Sequence, residues 1–512
     1  MSISPNVPSL ALTGRDPDES AIVGPLCRTI DVFARDLIDS GRIDREHAIP
    51  PHVLDGARSL GLFGLPIPEE YGGAGLSLQG VCTAIAALAR HDRSVATTVG
   101  LHTGLGTRGL VAFGSSELQS QWLPVLASGE RIAAFATTEA MAGSDLSAIR
   151  TKAVSDGDDL RVDGGKVYVT NGNLAGLYTI TASTPGLGGA RRGHSLLLLE
   201  AGQPGLTVGP EESKLGLRGS STTPLFLEDV RLPHARVIGE VGQGMAHLQH
   251  VLAWGRTVMA SGCTGASTAA LQATLRHVTT RKQFGRAIGS FDVVRRQVAD
   301  MAALHFMAVA LVRHTCAVAE EPEELLMRSL AAKVICSDAN WEICDTAVQL
   351  HGGAGFIEDT GLPLLLRDSR IMRIFEGAND VLTVHAGSVE MKAHRQRRSF
   401  EGRVGGLAEP LALRADRLDH MLAALRDELL AEHGVRLFGM QTLLHRLGRL
   451  AVLCEASDAA VLRAEAEGDA RSAALAAHWL HMAEERMGPA LRPGPSTAHV
   501  SALTAELYEE VQ

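Results

Sequence analysis

The stretch RIFEGAND, residues 373–380, sets one carboxylate, Glu376, between aromatic Phe375 and Gly377. A short apolar run and the charges RDSR lie just upstream. An acid held at a backbone kink beside an apolar flank loses its water. Desolvation then raises its pKa towards that of a weak carbon acid, and it can act as a general base. The same residues also read as a solvated glutamate at a helix end followed by a capping glycine.

Four other stretches carry groups suited to a large anionic cofactor. AAFATTEAMAGSD (133–145) offers two threonines, small residues and an acidic end. YVTNG (168–172) sets an aromatic ring and, two residues on along the same strand face, a hydroxyl. TTRKQFG (279–285) brings two cations and Phe284 to a helix end. QLHGGAGF (349–356) closes a helix with three glycines, which let backbone approach a ligand closely. Hydroxyls and backbone N–H groups would bind a ring system, while Arg281 and the glycine turn would take phosphates. GLGGARRG (186–193) lies between strands and reads as a hairpin loop, so no dinucleotide-binding Rossmann unit is expected. HLQH places His247 and His250 three apart on a helix with no third ligand, so these read as surface or core histidines and no metal site is expected.

The elements that must position these groups fall into four segments. Residues 17–130 read as a helical domain. Its first helix, AIVGPLCRTIDVFARDLIDSG, is expected to end at Gly41. Residues 131–236 change to strand period. LRVDGGKVYVTN alternates, is expected to turn at Asp163-Gly164-Gly165, and alternates again. Helical spacing returns over 237–398 in long segments with short connections, which suggests a four-helix bundle. Its third helix runs from Glu323 to about Leu350, with Leu326, Leu330, Val334, Trp341, Cys344 and Val348 on one stripe. Its fourth runs from near Glu376 to about Arg398. RRSFEGRVGGLAEP breaks the pattern, and 411–512 is a helical extension. The class is α+β and multidomain.

The chain has 512 residues, enough for several domains. Its 48 basic and 58 acidic residues give a net charge of −10, which argues against a general nucleic-acid binder but leaves room for a local basic patch. Seven scattered cysteines without a C-x-x-C pair fit a reducing, cytoplasmic compartment. No signal peptide and no membrane-spanning run is evident.

From about residue 55 to 392 the chain resembles the acyl-CoA dehydrogenase family. LGLFGLPIPEEYGGAGLS, ASGERIAAFATTEAMAGSDLSAIRTKA, KVYVTNG, KLGLRGSSTTPLFLEDVRLP, TTRKQFGRAIGSF, QLHGGAGF and RDSRIMRIFEGAND carry the likeness, in the family's order. The tail beyond 400 is similar to that of the very-long-chain branch. The resemblance implies FAD, an N-terminal helical domain, a central β-barrel-like domain and a C-terminal four-helix bundle. It implies a homodimer or a tetramer in which two subunits touch each FAD. Thr138 and the backbone around Thr137 would meet the flavin ring. Ser144 would lie near the pyrophosphate or substrate, Tyr168 would stack by the ring, and Thr170 would reach the flavin N5 region. Arg281, Phe284, Gln349 and Gly353 would hold the pyrophosphate and adenosine side across the subunit interface. Glu376 matches the catalytic base, and Arg256 and Gly377 shape the substrate region.

The implied reaction is α,β-dehydrogenation of an acyl-CoA to its trans-2-enoyl thioester, with electrons passing to an electron-transfer flavoprotein. Ala140-Met141, Tyr168, Pro363-Leu364 and Ala378 depart from the family's usual residues. They leave open a carrier-protein thioester, and the acceptor leaves open an acyl-CoA oxidase or a flavin monooxygenase on the same fold. The cluster Lys392, Arg395, Arg397, Arg398 and Arg403 reads either as a solvated linker face or, by the resemblance, as part of a tail that meets a membrane surface.

Overall fold

The computed structural model describes residues 17–187, 193–392, 400 and 404–491. Most of the loop 186–193, and Arg395, Arg397, Arg398 and Arg403 of the basic cluster, lie outside the described residues. The chain divides into two compact units, Met1–Leu382 and Thr383–Gln512.

The first unit opens with α1 (Pro17–Leu37), α2 (Ser40–Glu46), α3 (Pro51–Ser59), α4 (Leu78–Ala89), α5 (Arg93–Leu101), α6 (Arg108–Phe113) and α7 (Ser116–Ala127). Gly41 does not end the first helix. Asp39 accepts a bond from the Arg42 N–H (2.9 Å) and starts α2, so Gly41 lies inside a new helix. The same capping logic begins α4 at Ser77, α5 at Asp92 and α7 at Ser115. Between α5 and α6 the chain makes one π-helical turn, His102–Gly106. Its His102 Nδ1 accepts the Ala133 N–H at 2.9 Å, which ties the helices to the first strand.

The sheet follows, with β1 (Ile132–Ala136), β2 (Lys152–Asp156), β3 (Asp159–Thr170), β4 (Ala175–Ser183), β5 (His194–Glu200), β6 (Leu206–Val208), β7 (Thr222–Pro233) and β8 (Val237–Ile238). The order is β6-β7-β3-β2-β4-β5-β8, with β1 running parallel beside β4. β6 and β8 stand at opposite ends and do not pair, so the sheet is open and the barrel-like expectation is corrected. The hairpin also differs from the reading of Asp163-Gly164-Gly165 as its turn. The chain reverses between Asp156 and Asp159, and β3 runs straight through the glycines. Gly164 sits at a register shift against β7 with φ +153°. A Cβ there would come within 2.7 Å of the Thr151 backbone, so the glycine permits a bulge and a close approach, not a turn. Both faces of the sheet are covered. One packs a core including Tyr178, Leu197 and Leu225, and the other packs Leu177, Leu196 and Leu198 against α6 and α7 residues such as Leu110 and Trp122.

Three long helices then pack on one another: α8 (Gly244–Thr280), α9 (Asp292–Cys316) and α10 (Pro322–His351). A two-residue hairpin, β9 (Lys282–Gln283) and β10 (Arg286–Ala287), links α8 to α9. The middle of α8 is buried all round from Val251 to Thr268, which suits its many small residues. α10 is buried continuously from Ser329 to Ser337, while Leu326, Trp341 and Val348 of the expected stripe are only half-buried. A short helix, α11 (Leu362–Arg370), precedes the RIFEGAND turn, and α12 (Asn379–Lys392) starts three residues later than expected, just past the kink.

The second unit contains most of α12 with α13 (Glu409–His433), α14 (Gln441–Glu467) and α15 (Ala470–Leu491). Within it α12 and α14 cross closely at Gly387 and Gly448. A Cβ on Gly387 would lie 2.0 Å from the Leu444 carbonyl, and one on Gly448 would lie 1.8 Å from that of Thr383. No helix among the described residues is long and apolar enough to cross a membrane.

Candidate active site

Glu376 occupies the turn between α11 and α12 in a left-handed conformation, φ +56°. A non-glycine residue there carries strain of about 1–3 kcal/mol, so the surroundings must hold it. Two buried cations do so. Arg256 of α8 donates from Nε to the Glu376 carbonyl at 3.1 Å. Lys333 of α10 donates from Nζ to the next carbonyl, Gly377, at 2.7 Å and to Asn379 Oδ1 at 2.6 Å. Bonds from charged donors contribute about 1.5–3 kcal/mol each, enough to offset the strain. Gly377 continues the turn at φ +104°, and a Cβ on it would strike Leu382 at 2.7 Å. Gly377 is therefore fixed by both conformation and space.

The turn aims the side chain into the molecule. Glu376 Oε2 is sealed from solvent and has no hydrogen-bond partner. Burial drives the carboxyl up to about 7 against the opposing pull of Arg256 and Lys333. Burial also lowers Lys333 to about 8 and Arg256 to about 10. At neutral pH both cations keep their charge while the carboxyl stands near its midpoint.

The carboxylate faces a pocket lined mainly by α5 and α8. Gly255 lies beside it: a Cβ at that position would sit 3.4 Å from Glu376 Oε2 and would strike the Leu105 side chain at 2.1 Å. Ala96, Gly100, Val258 and Met372 form apolar walls. Arg93, at the start of α5, also lines the pocket although it is only 4% exposed. Sequence reasoning missed Arg93 and Lys333. Neither lies in a recognisable motif; each meets its partners through residues far away along the chain.

Two of the charges of RDSR turn out to be ties. Arg367 makes a two-pronged bond with Asp44 (3.0 and 2.7 Å), and Asp368 Oδ1 accepts the Leu217 N–H at 2.6 Å. They fasten α11 to α2 and to the loop before β7.

The expected cofactor residues fall into two groups. On the sheet, Thr138 passes its carbonyl to the Val167 N–H (3.0 Å), which places it beside Tyr168. Tyr168 has φ +57° and is 67% exposed, so β3 kinks to present a ring to the outside. Thr170 ends the same strand half-exposed, and Ser144 lies exposed on the following loop of the 133–145 stretch. The Thr137 hydroxyl is already engaged by Thr181 (2.8 Å). Beneath this edge lies a buried ion pair. Lys166 Nζ reaches Glu139 at 2.8 Å and the Thr137 carbonyl at 3.2 Å. Burial opposes ionisation of Glu139, but bonds from Lys166, Thr151 and the Arg150 N–H hold it down to about 2. Lys166 is lowered by burial to about 8, so the pair is charged at neutral pH.

The second group gathers at the far ends of α8 and α10. His277 and His351, in the last turns of the two helices, stack at 4.1 Å. Arg281 and Phe284 follow the first, and Gln349 and Gly353 flank the second; all four are exposed. Phe284 is 93% exposed at φ +52°, and Phe356 nearby is 82% exposed. A Cβ on Gly353 would meet nothing within 4 Å, so the backbone is open to an approaching ligand. His247 stacks on Phe113 (4.2 Å) and His250 Nε2 lies 3.0 Å from Arg108.

Comparison with known proteins supplies the context. Family models described as the acyl-CoA dehydrogenase N-terminal, middle and C-terminal domains match residues 26–130, 134–230 and 242–388. The chain is 38% identical over 346 residues to the probable acyl-CoA dehydrogenase FadE25 of Mycobacterium tuberculosis, covering 67% of this chain and 88% of that one. It is 33% identical over 372 residues to the human mitochondrial very long-chain specific acyl-CoA dehydrogenase, covering 71% of this chain and 57% of the human protein. The match thus spans little more than half of that relative's length. Among solved structures, an acyl-CoA dehydrogenase from Bacillus anthracis complexed with FAD matches with a TM-score of 0.81 and 26% identity, over 96% of this chain and 90% of that one.

Proposed function

Since the chain belongs to the acyl-CoA dehydrogenase family, we propose that it is an enzyme that removes the α-proton and β-hydride of an acyl thioester, with Glu376 as the base. One observation carries this reading. Glu376 Oε2 is buried, unpartnered and directed at an apolar pocket, and its carboxyl is raised to about 7. A base of that strength, stripped of water, approaches the task of abstracting a weakly acidic C–H. Arg256 and Lys333 hold the turn from behind, so the carboxylate keeps its aim as it gains and loses a proton. Walls such as Val258 and Met372 exclude water from the reacting carbons.

The residues present fit FAD. A flat ring needs an exposed aromatic neighbour and free hydroxyls, and the kinked Tyr168 with Thr138 and Thr170 offers them. An anionic bridge needs a cation and open backbone, and Arg281 with Gly353 offers those. When bound, FAD supplies the acceptor for the hydride. Phe284, just past the end of α8, and Phe356, just past the end of α10, are large apolar side chains left exposed, and they support a homodimer or larger oligomer in which a second copy covers them. The seven free thiols, six of them buried, suit a reducing compartment. An electron-transfer flavoprotein is the proposed acceptor; peroxide formed under air in place of reduction of that partner would redirect the reading to an oxidase.

The decisive experiment is anaerobic titration of the yellow holoprotein with acyl thioesters, read as loss of flavin absorbance. Glu376→Gln is expected to keep the colour and lose the bleaching. Full bleaching by that variant would remove Glu376 from its role.

A further inference from the structure

The turn that carries Glu376 is gripped at both flanks by one oxygen atom. Arg373 stands three positions before Glu376 and Asn379 three positions after it. Arg373 Nε donates to Asp338 Oδ1 at 2.7 Å, and Asn379 Nδ2 donates to the same Oδ1 at 2.9 Å. Asp338 lies on α10, one residue beyond the continuously buried stretch from Ser329 to Ser337. The same helix reaches Asn379 twice more. Lys333 Nζ donates to its Oδ1 at 2.6 Å, and Ser337 Oγ accepts from its Nδ2 at 3.0 Å. Lys333 and Ser337 are four apart, one above the other on one helix face. A long, buried helix thus holds the exit of the turn by three side chains and its entrance by one.

Between these flanks the helical bonding breaks. It ends with the Phe375 N–H on the Ile371 carbonyl (3.1 Å) and resumes with the Leu382 N–H on the Ala378 carbonyl (2.9 Å). Glu376 and Gly377 lie in the gap, both at positive φ. Pinning both ends of so short a loop to one point removes much of its freedom, and freeing one end returns it to the whole span. The pocket that Glu376 faces is lined by residues of α4, α5, α8 and the segment 372–376, and Asp338 of α10 stands apart from it.

We propose that Asp338 is a positioning residue for the base: by tying Arg373 to Asn379 it holds both ends of the turn, so that the Glu376 carboxylate keeps its aim into the pocket. The inference rests on the dehydrogenase reading, in which Glu376 is the base, and adds a residue outside the pocket on which that base depends. Asp338 acts more as an acceptor at a fixed place than as a charge. Its partner Arg373 is 37% exposed, and an ion pair so open to water contributes little by charge alone.

The test uses FAD-loaded wild-type, Asp338→Ala, Asp338→Asn and Arg373→Met proteins. Anaerobic flavin bleaching is followed in single turnovers over a range of acyl-CoA concentrations, which separates the limiting rate from thioester binding. Asp338→Ala is expected to lower the limiting rate about 10- to 100-fold, the effect of a misplaced reacting group, while thioester binding changes by less than about threefold. Asp338→Asn keeps Oδ1 as an acceptor and is expected to stay within about fivefold of wild type. Arg373→Met frees one flank and is expected to lose about tenfold; adding it to Asp338→Ala should cost little more, because both act through one atom. Amide hydrogen exchange reads the turn without turnover: Asp338→Ala should speed exchange in 371–382 and leave α5 and α8 as in the wild type. An Asp338→Ala protein with the wild-type limiting rate, faster exchange spread through α5 and α8, or an Asp338→Asn protein as slow as Asp338→Ala would overturn the proposal, while bleaching of the wild type leaves the dehydrogenase reading intact. A wild type that bleaches with no thioester, or a Glu376→Gln protein that bleaches fully, would overturn both. If Asp338→Ala does not fold, Arg373→Met decides by the same measures.

Discussion

Replacing Lys333 with Met tests how the fold makes a base out of Glu376. The change keeps the length of the side chain but removes the Nζ bond to the Gly377 carbonyl (2.7 Å) and a buried positive charge. Two effects follow, and they separate by pH. The first is mechanical. An orphaned buried carbonyl costs about 1–3 kcal/mol, similar to the strain of the turn it had been holding. The turn then spends much of its time relaxed, and at 1.36 kcal/mol per decade the productive population falls roughly 5- to 150-fold. The second is electrostatic. Lys333 pulls the Glu376 carboxyl down against burial, so its loss lets that group rise above the value of about 7 that it has in the wild type. The acting form is the anion, so wild-type activity rises as pH increases through about 7. In Lys333→Met that limb moves to higher pH, and part of the lost rate returns under alkaline conditions. The assay is single-turnover flavin bleaching under anaerobic conditions between about pH 6 and pH 9, with folding monitored by circular dichroism. A variant with an unshifted limb and an undiminished rate would refute the account of the clamp.

Glu376→Gln is expected to retain FAD and lose bleaching by at least about a hundredfold, the usual contribution of a positioned base. The same change should raise stability at alkaline pH. The folded pKa of Glu376 lies above its unfolded value of 4.5, so the wild type is favoured by protonation below 4.5 and loses that contribution as pH rises through about 7. Thermal melts at pH 5.5 and 8.5 compare the two conditions, each about 1.5 units from the midpoint. Lys166→Met leaves Glu139 charged and buried, and is expected to cost about 3–5 kcal/mol in urea unfolding; Lys166→Met with Glu139→Gln should cost less. Gly387→Val within the second unit would drive a side chain into the Leu444 carbonyl, and a lowered melting temperature of that unit is expected.

Much of this arrangement could be read from residue order because its signals are local. A carboxylate beside glycine, alternation over strands and small residues along α8 each declare themselves within a few positions. The failures also have physical causes. Asp163-Gly164-Gly165 has turn chemistry, yet its glycines serve a bulge whose need arises from Thr151. Gly41 looks like a helix stop, yet Asp39 caps a new helix across it. Lys333 and Arg93 act on partners at Gly377 and Met372, 44 and 279 residues away, and no window of sequence contains both members of either pair. The open sheet depends on whether the two terminal strands meet, a global property that strand period does not encode.

Helix α8 has a consequence of its own. Arg256 in its middle and Arg281 at its exit are 25 positions apart, about 37 Å of continuous rod. Each added or deleted residue between them would turn the exit by about 100° relative to the middle. A seven-residue step would come close to restoring the rotational phase yet still move the exit about 10 Å along the rod, so this stretch resists changes of any length. The spacing from Arg256 to Arg281 is a ruler that both ends must share.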